Sequence, residues 1–93
     1  MIVRFRSRET ERIWHGQFGR ALPEDIQPTA LRKLRILNNA KVLADLAVPP
    51  SNRLEALKGD RSGPYSIRIN QQWRICFVWT AGGPDHVEIV DSH

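Results

Sequence analysis

The segment WRICFVWT at 73–80 constrains this chain more than any other. Trp73, Ile75, Phe77 and Trp79 alternate with Arg74, Cys76, Val78 and Thr80, and a period of two is that of a strand whose successive side chains point to opposite faces. A row of two Trp, an Ile and a Phe must be covered, while the row that carries Arg74 belongs on an open side. The chain therefore needs a sheet with one covered face and a layer to cover it. The segment YSIRIN at 65–70 repeats the pattern, with Tyr65, Ile67 and Ile69 on one side and Ser66, Arg68 and Asn70 on the other. A tight turn over 70–72 joins these two strands. AGGP at 81–84 reads as a further turn before a last strand at 86–90, and a short strand at 53–57 precedes the turn KGDRSGP at 58–64. Connections this short join antiparallel neighbours.

The covering layer comes from the first half of the chain. Residues 1–6 alternate apolar and basic side chains and read as a strand. Ser7 caps a helix over 8–15, with Glu9 and Glu11 near the positive end of its dipole and Gly16 as its stop. Residues 19–23 form a loop. The next helix begins near Glu24 or Asp25, which leaves Pro28 close to its first turn. Ala30, Leu34 and Leu37 share one face with Leu31 beside them; Arg32 and Arg35 lie on another, with Lys33 nearby. Asn38 and Asn39 weaken this helix, a short one follows over 41–47, and Pro49–Pro50 ends it. The expected fold is α+β in two layers, helices packed on one face of a mainly antiparallel sheet, in the order β-α-α-β-β-β-β, with residues 1–93 forming a single domain.

Composition removes several function classes. One Cys excludes an internal disulfide framework and a Cys-rich zinc site. No apolar run approaches the roughly 20 residues that span a bilayer. The first twelve residues hold four Arg and no apolar stretch, unlike a signal peptide, so the expectation is a cytoplasmic protein with no membrane partner. The formal charge is +4, and of fourteen basic residues eleven are Arg. Guanidinium groups suit planar two-point contact with phosphate or carboxylate. Nucleic acid or an acidic protein is the implied partner; a basic surface without a task is the alternative.

The strand alternation concentrates that charge. Arg68 and Arg74 fall side by side on the open face, and the loop carrying Lys58 and Arg61 can flank them. Up to four cations then share one face, repelling each other by roughly a few tenths of a kcal/mol per close pair unless an anion joins them. Neutralisation by Glu55, Asp60, Asp85, Glu88 or Asp91 is the competing explanation. Elsewhere, Trp73 and Trp79 read as core and Cys76 as a small buried residue. Trp14 serves either the core or a partner surface. His15 sits at a helix end and His86 at the surface. Arg4, Arg6, Arg8 and Arg12 form either a second basic stripe or a solvated face.

Four blocks, LKGDRSG at 57–63, YSIRIN at 65–70, QWRICF at 72–77 and VEIVDSH at 87–93, together with the IVRF opening and the Arg-rich central helix, resemble the HigB-type branch of the RelE/ParE toxin superfamily. The likeness covers essentially the whole chain. It implies a microbial-RNase-like α+β fold and the toxin of a type II toxin–antitoxin pair, a ribosome-dependent endoribonuclease that cuts messenger RNA in the A site and so inhibits translation. No metal or other cofactor is implied. The implied partners are a helix-turn-helix, HigA-like antitoxin, the ribosome and mRNA, with operator DNA reached only through the antitoxin. Matching the motifs assigns catalytic roles to Lys58, Arg74, Asp91 and His93, and RNA or phosphate contact to Arg61, Arg68 and Lys58; Ser92 and Asn70 are secondary candidates. In such a site a 2′-OH attacks the adjacent phosphorus, cations stabilise the phosphorane, and a group with a pKa near neutrality such as the His93 imidazole moves protons. Relatives often end in D-Y-H, where this chain has Ser92, and some carry a His in the stretch here occupied by Glu55 and Ala56. These departures imply a weak nuclease. Two other readings remain open: a ParE-like poison of DNA gyrase, and a non-catalytic corepressor that stays bound to its antitoxin.

Overall fold

A computed structural model of the protein describes residues 1–17, 20–57 and 64–91. Helix α1 (Arg8–Trp14) starts where Ser7 accepts a hydrogen bond from the Thr10 amide at 3.3 Å, and it stops at Gly16, whose φ of +80° suits glycine. A 3-10 turn over Glu24–Ile26 runs into helix α2 (Gln27–Asn39), with Pro28 in its first turn. Ala30, Leu34 and Leu37 are fully buried, as their spacing implies. Lys33 is buried as well. It stands three residues after Ala30 and four before Leu37, which puts it on the core stripe and not among the exposed arginines.

Between α2 and the sheet, 3-10 turns over Leu43–Ala47 and Pro50–Asn52 replace the expected short helix. Asn52, with no exposed surface, holds this segment together. Its Nδ2 donates to the carbonyls of Leu46 (3.1 Å) and Val48 (3.2 Å), and its Oδ1 accepts from the Lys33 ammonium. Four antiparallel strands follow in sequential order: β1 (Glu55–Ala56), β2 (Tyr65–Arg68), β3 (Trp73–Thr80) and β4 (Gly83–Asp91). Strand β1 is shorter than the expected 53–57 because Arg53 adopts a left-handed conformation (φ 46°) that cannot continue a strand. The β2–β3 turn is closed by Asn70, whose Oδ1 accepts from the amides of Gln72 and Trp73, both at 2.8 Å.

Strand β4 begins three residues earlier than its sequence suggests, because Gly83, Pro84 and Asp85 pair with Thr80, Trp79 and Val78. A bulge at His86 (φ 52°) then shifts the register between Val78 and Cys76. The same bulge limits the N-terminal segment. Residues 3–6 run parallel to β4, bonded through Val3 to Pro84 and through Arg4 and Arg6 to Val87, yet only Phe5 forms a bridge. The expected first strand is thus one bridge long. Both helices lie on one sheet face. There Ile13, Leu34 and Leu37 meet Ile67, Ile75, Phe77, Val87 and Ile89 in one apolar cluster, with Trp14, Trp73 and Trp79 packed around it. This is the expected two-layer α+β fold.

Candidate functional site

The uncovered face is set by register. Arg68 on β2 stands directly opposite Arg74 on β3, and the adjoining row runs Glu55, Ser66, Cys76 and Glu88 across the four strands. Arginines at neighbouring register positions follow from the alternation in two adjacent strands, as the sequence implied.

Arg74 is held at two points. Its Nε donates to the buried hydroxyl of Ser66 at 2.9 Å, and its Nη2 donates to the Arg53 carbonyl, also at 2.9 Å. Glu55 lies 3.5 Å from the same Nη2, and the Arg74 side chain is 17% exposed. The guanidinium is therefore oriented, with Nη1 carrying no bond among the described residues. Arg68 is fixed more loosely, its Nε donating to the Asn70 carbonyl at 3.0 Å. Asn70 spends its side-chain oxygen on the β2–β3 turn, so it positions Arg68 through its backbone.

Asp91 ends β4 opposite Trp73. Paired residues share a face, so alternation directs Asp91 to the helix side of the sheet, next to but not on the face of Arg74. Its carboxylate accepts from Gln72 Nε2 at 3.1 Å. The expected roles of Lys58, Arg61, Ser92 and His93 fall outside the described residues.

The carboxylates proposed as neutralisers divide their work. Glu55 takes Arg74; Asp85 takes Arg4 through two 3.0 Å bonds; Glu88 stands 3.9 Å from Arg6. The two-point contact with Arg4 holds the Asp85 carboxyl below the usual carboxylate range, against the opposing effect of burial. Two members of the N-terminal Arg stripe are accordingly committed to β4. Cys76, expected to be buried, is half-buried in the row on the uncovered face; that partial burial pushes its thiol up, and nearby Glu88 adds to the effect. Among the described residues, no group of three His, Cys, Asp or Glu is placed to hold a metal ion. Sequence reasoning missed the Arg74 anchors. Ser66 was legible as its diagonal cross-strand neighbour, whereas the Arg53 carbonyl was not, since a backbone acceptor leaves no mark in the side-chain pattern.

This oriented guanidinium, on the open side of a helix-backed antiparallel sheet, can be set beside known proteins. The profile described as "RelE-like toxin of type II toxin-antitoxin system HigB" matches residues 3–93. The chain belongs to the HigB-like toxin family. It is 37% identical over 83 residues to Toxin HigB-1 of Vibrio cholerae, covering 88% of this chain and 87% of that one. It is also 32% identical over 65 residues to an uncharacterized protein of Haemophilus influenzae, covering 70% of this chain and 64% of that one. The protein is thus a HigB-like type II toxin, a class defined by pairing with an antitoxin. Among the described residues, no helix is long and apolar enough to cross a membrane.

Proposed function

We propose that this HigB-like toxin is a ribosome-dependent, metal-independent endoribonuclease that cleaves mRNA in the A site, and that the whole chain acts as one toxin domain. The 2′-oxygen attacks the adjacent phosphorus, its proton passing to a base. The bond from phosphorus to the 5′ oxygen breaks, and that oxygen takes a proton from an acid. Arg74 and Lys58 stabilise the phosphorane, Arg61 and Arg68 hold flanking phosphates, His93 moves protons and Asp91 orients it. A helix-turn-helix, HigA-like antitoxin neutralises the toxin and carries it to operator DNA in the cytoplasm.

One observation supports this reading above the others. Arg74 stands opposite Arg68 on the uncovered face, its guanidinium fixed by Ser66 and Arg53 before any substrate arrives. A preorganised cation stabilises charge that develops in a transition state without reorganising, an effect worth several kcal/mol in known active sites.

Induced expression of Arg74→Ala, Lys58→Ala and His93→Gln tests it. Each substitution should relieve growth arrest and remove the breaks that primer extension detects within codons. Undiminished toxicity in all three refutes the site. Early DNA damage with intact transcripts points to the gyrase alternative, and an unsubstituted chain that is harmless when expressed alone points to the corepressor.

A further inference from the structure

Beside the Arg68–Arg74 pair, where α2 approaches the sheet edge, lies a cavity of about 350 Å³, and of its lining the proposed chemistry uses only Arg68. Arg32 and Lys33 from α2, Arg53 from the segment before β1, and Arg68 from β2 line it, with Thr29 and Ser51 adding hydroxyls. Among the described residues no carboxylate lines it and none of the four cations is ion-paired. Arg4, Arg6, Arg12 and Arg74 each have a carboxylate within 4.0 Å, whereas Arg8, Arg20, Arg35 and Lys41 are in no ion pair among the described residues either; the cleft differs in gathering four such cations around one space.

The cleft holds positive charge at a cost. Lys33 is 7% exposed, and its ammonium has only the neutral Asn52 amide as a described partner. Desolvation and then the neighbouring Arg32 charge both lower its pKa, the behaviour of a cation short of counter-charge. Arg53 adds backbone strain. It adopts a left-handed conformation where Gly or Asn would sit more easily, so a cationic side chain is kept at a position that disfavours it. The same residue's carbonyl accepts from Arg74 Nη2, linking the cleft to the candidate catalytic face.

We infer that Arg32, Lys33, Arg53 and Arg68 form a second phosphate-binding site, which receives a backbone phosphodiester of RNA away from the bond that is cut. The inference rests on the reading of this toxin as an RNA-acting enzyme. Four cations and two hydroxyls around a concave space match the acceptor oxygens of a phosphate. An acidic protein segment is disfavoured because, among the described residues, Ile69 is the only apolar one lining the cavity, which leaves little to pack against a peptide.

The test uses the full-length chain and a short oligoribonucleotide that is 2′-O-methylated throughout, so that binding is read by fluorescence anisotropy independently of cleavage. Arg32→Gln and Arg53→Asn each remove one charge, the second while easing the left-handed backbone. Each should weaken binding about 5- to 10-fold and reduce the slope of log affinity against log salt by roughly 0.7, the loss of one single-strand phosphate contact. Arg35→Gln, on α2 but outside the cleft, should leave affinity and slope unchanged. If cleavage is never found yet these shifts appear, the phosphate site stands and the nuclease assignment falls. Unchanged affinity in both cleft variants overturns the inference, as does failure of the unsubstituted chain to bind the oligonucleotide at about 50 mM salt. Cleft variants that lose antitoxin binding but keep RNA affinity assign the cleft to a protein. Thermal stabilisation by inorganic phosphate, abolished in the variants while RNA affinity is kept, marks a free-anion site and overturns the RNA assignment.

Discussion

Replacing Asn52 with alanine removes three hydrogen bonds at one fully buried point. The bond to the Lys33 ammonium is charge-assisted, and leaving that group without its acceptor costs roughly 1.5–3 kcal/mol. The carbonyls of Leu46 and Val48 lose neutral donors worth about 1 kcal/mol each. The expected total is about 3–5 kcal/mol, against an overall stability on the order of 5–14 kcal/mol for a chain of this size. At roughly 4–8 °C per kcal/mol for small domains, the melting temperature should fall by about 12–40 °C. Urea unfolding followed by tryptophan fluorescence measures the loss directly, as a lower midpoint with an unchanged slope. Lys33→Met tests the partner. It removes the buried charge and leaves an amide oxygen, so combining it with Asn52→Leu should cost at least about 1 kcal/mol less than the sum of the single changes. A loss below about 1 kcal/mol for Asn52→Ala, or additivity within about 0.5 kcal/mol, would refute the idea that this pair fastens α2 to the segment before the sheet.

Other perturbations test other parts of the molecule. Ser66→Ala should lower stability by about 1–2 kcal/mol, and it should reduce cleavage at saturating substrate through misorientation of Arg74; parental turnover by a folded variant would count against the anchor. Glu55→Gln takes a negative charge from beside Arg74 and should raise affinity for the oligonucleotide a few-fold at low salt, an effect that vanishes at high salt; lower affinity would show that Glu55 orients Arg74 rather than screening it. Gly83→Ala places a methyl group on the Met1 carbonyl at a φ of +120°, and should cost roughly 1–3 kcal/mol from the backbone alone, with faster exchange of the Val3 amide. Because the Asp85 carboxyl is held below its unfolded pKa, its pair with Arg4 stabilises the fold above that unfolded pKa and is lost as pH falls through the folded value. Asp85→Asn should therefore flatten the acid side of the stability curve and leave the slope from pH 7 to 8 unchanged; an unaltered acid limb in denaturation titrations would contradict this.

What the amino-acid sequence determined by itself was governed by short-range periodicity. The alternation in 73–80 specified both faces of β3, Ser7 marked the start of α1, Asn70 marked the β2–β3 turn, and two alternating strands joined by a tight turn were enough to put Arg68 beside Arg74. Those features depend on residues only a few positions apart, and a linear pattern records them. Tertiary structure decided which partners lie across the fold. Arg74 finds Arg53 twenty-one residues away, Lys33 finds Asn52 nineteen away, and Arg4 finds Asp85 eighty-one away. It also cut the expected N-terminal strand to a single bridge, because a bulge in β4 breaks the ladder that strand would join. The Asn52 acceptor that meets the Lys33 ammonium, the left-handed Arg53 and the cationic cleft arise only when helix, loop and sheet close on one another. Desolvation and hydrogen-bond geometry act between groups brought together in space, and no local pattern carries them.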